Sequence, residues 1–237
     1  MGKLEVMGGT MNIGAVGNDT HDDIEYATAG FPEVAVSGGT LNVNGQIRRS
    51  TTIRTGNLTY RQSGGNVFIY GKNRNANQIK RALLEVLNDG RFISTGGNLH
   101  LVQGVGSGES SNTFGGLYLN PASLTVTGGT IHTGTSQAYA ATSWFNLYLG
   151  SPIYNLTVDG ETTAKNARLR TFEATLNGSL YVNEPEASAF NPGAINVNIG
   201  GDFVNSSSNS NSYTTNSGHN TIFNGSNAIK CYSNFWW

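Results

Sequence analysis

The chain has 237 residues, of which 12% are charged, and a formal net charge of −1. That length suits one large domain or one quasi-linear array. The single cysteine, Cys231, excludes an internal disulfide, and no run of about 18 apolar residues marks a membrane-spanning helix. Glycine is abundant and helix formers are scarce. Regular apolar positions and the many Phe and Tyr residues argue against disorder, so the fold class expected is all-β.

The first predicted element covers residues 4–14 and shows the pattern that recurs along the chain: alternation, a Gly-Gly corner, alternation resumed. Copies centre on Gly8-Gly9, Gly38-Gly39, Gly64-Gly65, Gly96-Gly97 and Gly128-Gly129, at intervals of 30, 26, 32 and 32 residues. Alternation of period two marks a strand with one buried face, and both glycines are expected to supply φ > 0 at the corner. Aligned on the glycines, the repeats stack into columns. Leu4, Val34, Tyr60, Phe92 and Leu124 form one column, and Met11, Leu41, Val67, Leu99 and Ile131 form a second. Ile13, Val43, Ile69, Leu101 and Thr133 form a third, with Thr10, Thr40, Asn66, Asn98 and Thr130 as a polar ladder beside the corner. Such columns predict a parallel β-helix, a β-solenoid whose coils stack at about 4.8 Å, expected to be right-handed from the general preference of crossovers between parallel strands. Asn42, between two apolar columns, is expected on the solvated face.

Between the first two repeats, Asn18 to Glu25 is the most acidic segment. Asp19, Asp22, Asp23 and Glu25 are candidate Ca²⁺ ligands because a hard cation prefers oxygen. The spacing lacks the glycine of an EF-hand loop, so a solvated inter-coil loop is the competing interpretation. Residues 48–91 carry nine basic and two acidic side chains, a local excess of seven positive charges. Arg48, Arg49, Arg54 and Arg61 are expected to project from the sheet as a weak, charge-driven site for acidic glycans. Nucleic acid is not expected, because no recognised fold or aromatic stacking motif accompanies the charge. Residues 75–90 fit a helical stripe (Ile79, Ala82, Leu83, Val86, Leu87) or a strand through Leu84 and Val86. The equivalent slot elsewhere favours strand.

After residue 140 the spacing shortens. Trp144–Leu149 and Ile153–Val158 are predicted as consecutive strands. The corner returns at Asn177-Gly178, Gly200-Gly201 and Asn224-Gly225. Residues 206–212 contain only Ser and Asn and mark a loop. Longer coils over 4–140 and shorter ones over 144–229 therefore belong to a single array covering residues 1–237. The last eight residues fit no column.

Several of these stretches together resemble the β-helix repeat regions of large secreted, adhesin-like surface proteins of Bacteroidetes-type bacteria. They are Val36-Ser37-Gly38-Gly39-Thr40-Leu41-Asn42-Val43, Leu58 to Gly65, Asn155-Leu156-Thr157-Val158, Ile199-Gly200-Gly201-Asp202-Phe203 and Thr221 to Ser226. Such proteins often end in a type IX secretion signal. The resemblance implies extracellular or cell-surface display and no catalytic residue. Neither a signal peptide nor a sorting domain accompanies the pattern, so the chain is expected to be an interior piece of something longer.

An enzyme reading needs convergent carboxylates, and the sequence offers only Asp159 with Glu161 and Glu184 with Glu186, neither with a histidine nearby in sequence. His21, His100, His132 and His219 lack metal-ligand spacing, although His100 and His132 share a column and are expected to stack on an outward face. The expectation is thus a structural or adhesive display segment without catalysis, cofactor or membrane insertion. Its partners would be glycans or a host or cell surface. The alternative is a carbohydrate-active β-helix enzyme or a polysaccharide-binding module.

Overall fold

The computed structural model describes residues 2–15, 22–27, 30–50, 56–71, 82–104, 116–135, 144–159, 166–183 and 188–226, and the backbone of 231–233. Its regular elements are all strands. They are β1 (Lys3–Val6), β2 (Thr10–Ile13), β3 (Ile24–Tyr26), β4 (Glu33–Val36), β5 (Thr40–Val43), β6 (Ile47–Arg49) and β7 (Thr59–Ile69). The longest follow, β8 (Leu84–Leu101) and β9 (Leu117–Thr133), then β10 (Trp144–Leu149), β11 (Asn155–Val158), β12 (Asn166–Leu169), β13 (Ala174–Leu176) and β14 (Leu180–Val182). The series closes with β15 (Ala189–Gly193), β16 (Val197–Ile199), β17 (Phe203–Asn205), β18 (Tyr213–Thr215), β19 (Thr221–Phe223) and β20 (Cys231–Ser233). Seventeen form one sheet and β13, β16 and β19 form another.

The pairings are parallel, and they sort into ladders. The ladder after the corner runs through Met11, Leu41, Val67, Leu99, Ile131, Leu156, Leu180, Phe203 and Cys231, each paired with the next. The backbone of 231–233 on it corrects the expectation that the last eight residues fit no column. The second apolar column, Ile13 to Thr133, lies two positions along the same strands. The ladder before the corner pairs Leu4, Val34, Tyr60, Phe92 and Leu124 in that order. A further ladder runs through Ile24, Ile47, Leu84, Leu117, Leu147 and Leu169. The inward residues of these ladders form one apolar cluster reaching from Val6 to Phe203. Parallel sheets are stable only with their apolar faces covered, and the inward side chains of these ladders cover one another in that cluster.

The two glycines of each corner have different tasks, which corrects the expectation that both need positive φ. Only the second has it, with φ of +67°, +68°, +66°, +81° and +93° at Gly9, Gly39, Gly65, Gly97 and Gly129. The first is required by space. A Cβ on Gly38, Gly64, Gly96 or Gly128 would lie 2.5–2.6 Å from the carbonyl oxygen of Met7, Ser37, Ser63 or Thr95 in the preceding repeat. Gly200 in the C-terminal half meets Asn177 O at 2.4 Å without positive φ. Residues 84–90 are strand, with Leu84 and Val86 fully buried, while residues 75–81 lie outside the described residues.

Asn42 is also corrected. It is 8% exposed, and its amide donates to Asn12 Oδ1 at 2.8 Å in the preceding repeat. Before the corner, two positions past Tyr60, Gln62 stands where Val6 and Val36 stand in earlier repeats and is satisfied there. Its Oε1 accepts from the Tyr60 hydroxyl at 2.8 Å, and its amide donates to Asn98 O at 3.0 Å. A buried polar group with partners on the next repeat fixes register as well as filling space.

Candidate functional site

The basic stretch is placed against carboxylates from neighbouring repeats. Arg48 Nη2 lies 2.7 Å from Asp23 Oδ2, and Arg48 Nη1 lies 3.0 Å from Glu25 Oε2. Arg49 Nε reaches the fully buried Glu85 at 3.3 Å, and Arg61 Nε meets Glu33 at 3.0 Å. Consecutive residues of an extended strand face opposite ways, so Arg48 and Arg49 do not form one row. Arg54 lies outside the described residues. Arg48, Arg49 and Arg61 are therefore each offset by an acid roughly one repeat away in the chain.

The same pairs occupy two of the calcium candidates. Asp23 accepts from Gln46 N at 2.6 Å and from Arg48 Nε at 2.8 Å, and Glu25 is held by Arg48. Asp22 is described, whereas Asp19 is outside the described residues. Among the described residues no group of three or more His, Cys, Asp or Glu is placed to hold a metal ion.

A more organised group lies on the column between the two apolar columns, where Asn42, Phe68, His100, His132 and Thr157 occupy successive rungs. Parallel in-register pairing brings like positions together, and the rings stack. The Phe68–His100 and His100–His132 centroids are both 4.3 Å apart, with interplanar angles of 7° and 19°. His132 Nδ1 donates to Asp159 Oδ2 at 2.8 Å, and the Asn183 amide donates to Asp159 Oδ1 at 3.1 Å. Asp159, which has no histidine near it in sequence, thus has one at hydrogen-bond distance. A separation of 27 residues hid the contact.

Burial drives the His100 imidazole down to about 4, with the His132 charge adding to the effect and Asp159 opposing it. Its Nδ1 is buried without a hydrogen-bond partner. For Asp159, burial pushes the carboxyl upward, but the hydrogen bonds from His132 and Asn183 outweigh it and the group sits below its ordinary value. A carboxylate orienting a histidine is half of a general-base arrangement. On its other side His132 Nε2 faces Asn98 Oδ1 at 3.4 Å. Glu161, Glu184 and Glu186 lie outside the described residues.

Arg168 and Arg170, which the sequence reading does not single out, form a second basic cluster. The signal available was the alternation Arg168-Leu169-Arg170, two outward cations flanking one inward leucine, next in the stack to Trp144-Phe145-Asn146-Leu147-Tyr148. Comparison with known proteins found no matching family model, no matching curated protein and no matching solved structure.

Proposed function

We propose that this chain is a segment of a right-handed parallel β-helix that serves as a rigid display or adhesive element of a secreted or cell-surface bacterial protein, without catalytic activity. The observation that supports this best is the unbroken, in-register column from Met11 to Cys231 over a single apolar cluster. Its eight steps, at about 4.8 Å each, give a rise of roughly 40 Å. From Met11 to Phe203 every side chain on that column is fixed relative to every other, which suits a spacer or presenting surface better than a site that opens and closes. One observation favours the alternative, a carbohydrate-active β-helix enzyme: the Asp159–His132 pair.

Three measurements separate the readings. Antibodies raised against the folded chain should label intact cells of the source organism, and labelling only after permeabilisation would overturn the display reading. Incubation with acidic and neutral polysaccharides should release no reducing ends, whereas release that disappears in Asp159→Asn would establish the enzyme. A crystal structure with the ladders left open, or wound left-handed, would overturn the β-helix itself.

A further inference from the structure

We propose that Arg168, Arg170, Trp144, Tyr118 and Phe172 form a binding site for an acidic glycan, with the guanidinium groups taking a uronate or sulfate and the rings taking the sugar face. This goes beyond the display reading, and its geometry does not depend on it.

The site is assembled by three neighbouring rungs. β12 pairs with β10, placing Asn146 beside Arg168 and Leu147 beside Leu169, and β10 pairs with β9 through Tyr148 and Tyr118. Phe145, Leu147, Ala167 and Leu169 point into the core, so Trp144, Asn146, Tyr148, Arg168 and Arg170 share the outer face. Asn146, wholly buried under them, accepts from Nε of both arginines through its Oδ1, at 3.2 Å for Arg170. One fixed oxygen thus orients two guanidinium groups, and their terminal nitrogens have no protein partner among the described residues. Neither arginine meets a carboxylate there. This contrasts with Arg48, Arg49 and Arg61, each of which has one.

Two like charges held side by side are unfavourable until an anion arrives. Burial, and after it the Arg170 charge, pulls Arg168 below its ordinary value. The rings complete the surface. The Arg168 guanidinium lies over the Trp144 ring at 4.9 Å, and Tyr118 lies 5.1 Å from Tyr148 and 6.4 Å from Phe172. Trp144, Tyr118 and Phe172 are all partly exposed. Phe172 is set there by a strained turn, since Thr171 has φ of +71° and Phe172 N donates to Arg170 O at 2.8 Å. A β-branched residue at positive φ is a genuine outlier, and such strain concentrates where a ligand is gripped. Planar forks match carboxylate and sulfate geometry, and aromatic rings supply apolar area for the C–H face of a pyranose. A polyphosphate chain fits less well, because a molecule of net charge −1 lacks the extended positive field that nucleic acids require.

The test is titration calorimetry of the full chain with oligogalacturonate, with a sulfated disaccharide, with a neutral β-glucan oligosaccharide and with single-stranded DNA. Binding to one or both acidic sugars is expected, weakening about tenfold in R168Q/R170Q, the loss of one or two charge-assisted hydrogen bonds. Lys3→Gln, at an exposed cation outside the site that pairs with Glu5, should leave it unchanged. Urea unfolding of each variant runs alongside. If the double variant loses its cooperative transition, Arg170→Lys, which keeps the charge and loses the fork, decides the matter through at least about threefold weaker binding. Equal acidic-sugar binding by wild type and the folded variant overturns the proposal. So does no binding, or binding of DNA or the neutral glucan in preference.

Discussion

The repeats before Thr133 and those after Trp144 use the same post-corner ladder and turn the corner differently. In the first region each corner carries two glycines, the second at positive φ, and the chain continues through long strands such as β8 and β9. In the second, Gly178, Gly200, Gly201 and Gly225 all have ordinary φ, and the strands are three to six residues long. The pre-corner ladder also changes. It stops at β9, where Leu124 is 41% exposed, and β13, β16 and β19 succeed it, with Ile153 bridging to Leu176. What survives the change is the column Met11 to Cys231, together with the ladder through Leu117, Leu147 and Leu169. The lesson is that the stack is specified by the ladders that continue across the change, while the corner itself is replaceable provided nothing larger than hydrogen stands where two backbones meet.

The largest test of that shared ladder puts a carboxylate in it on either side of the change. Val67 and Leu180 are both fully buried in the same column. Val67→Asp and Leu180→Asp should each cost about 4 kcal/mol or more, since a buried charge without a partner is among the most damaging substitutions. Urea midpoints report it, and a mild effect at Leu180 alone would show that the second region does not share the core.

Acid is the next test, and it acts at the seam between the regions, where His100, His132 and Asp159 meet. The folded His100 titrates at about 4 against 6.5 in the unfolded chain. Between those values the unfolded state binds more protons, so stability falls as pH drops through that window and levels off below it. The full loss is about 3 kcal/mol. Asp159, held below its ordinary value, adds further loss as the pH falls below the normal carboxylate range. His100→Phe, which extends the ring stack from Phe68, should flatten the window between about pH 6.5 and 4, as read from urea midpoints at several pH values. An unchanged profile would show that His100 is not its source.

The corner itself is dissected by three alanines. Gly65 combines φ of +66° with a Cβ 2.6 Å from Gly39 O, Gly200 has the close approach alone, and Gly9 has φ of +67° with nothing within 4 Å. Expected costs are about 3 kcal/mol for Gly65→Ala, about 2 for Gly200→Ala and about 1 for Gly9→Ala. If Gly200→Ala proves harmless, the second corner is looser than its geometry indicates.

The ladders flanking the corner were legible in the sequence because the Gly-Gly pair aligns them: Leu41 over Met11 and Val67 over Leu41 follow from counting three past the first glycine. The ladder through Ile24, Ile47, Leu84 and Leu117 was not, since loops of different length separate it from the corner and no column survives the count. Composition showed the positive excess near Arg48 but could not show the pairing of Arg48, Arg49 and Arg61 with carboxylates. Asp23, Glu25 and Glu33 sit a repeat earlier, and stacking brings them alongside. The same geometry hid the His132–Asp159 pair and the convergence of Arg168 and Arg170 on Asn146. A one-dimensional scan sees neighbours in the chain, whereas this fold makes neighbours of residues 22 to 36 apart.

The corner glycines carry a consequence for heredity. Because each repeat begins and ends at the same backbone geometry, loss of residues 66–97 would join Gly65 to Asn98 and seat Leu99 on Leu41, where Val67 had been. The pre-corner strand at Thr59–Gln62 would then lie beneath Ser123–Val126, and Leu117 would follow Ile47. A crossover between two corners shortens the molecule by one storey, and an unequal one lengthens it, without a new core having to arise. Height is thus open to change by recombination in single steps, while the side chains that decorate each storey remain free to diverge.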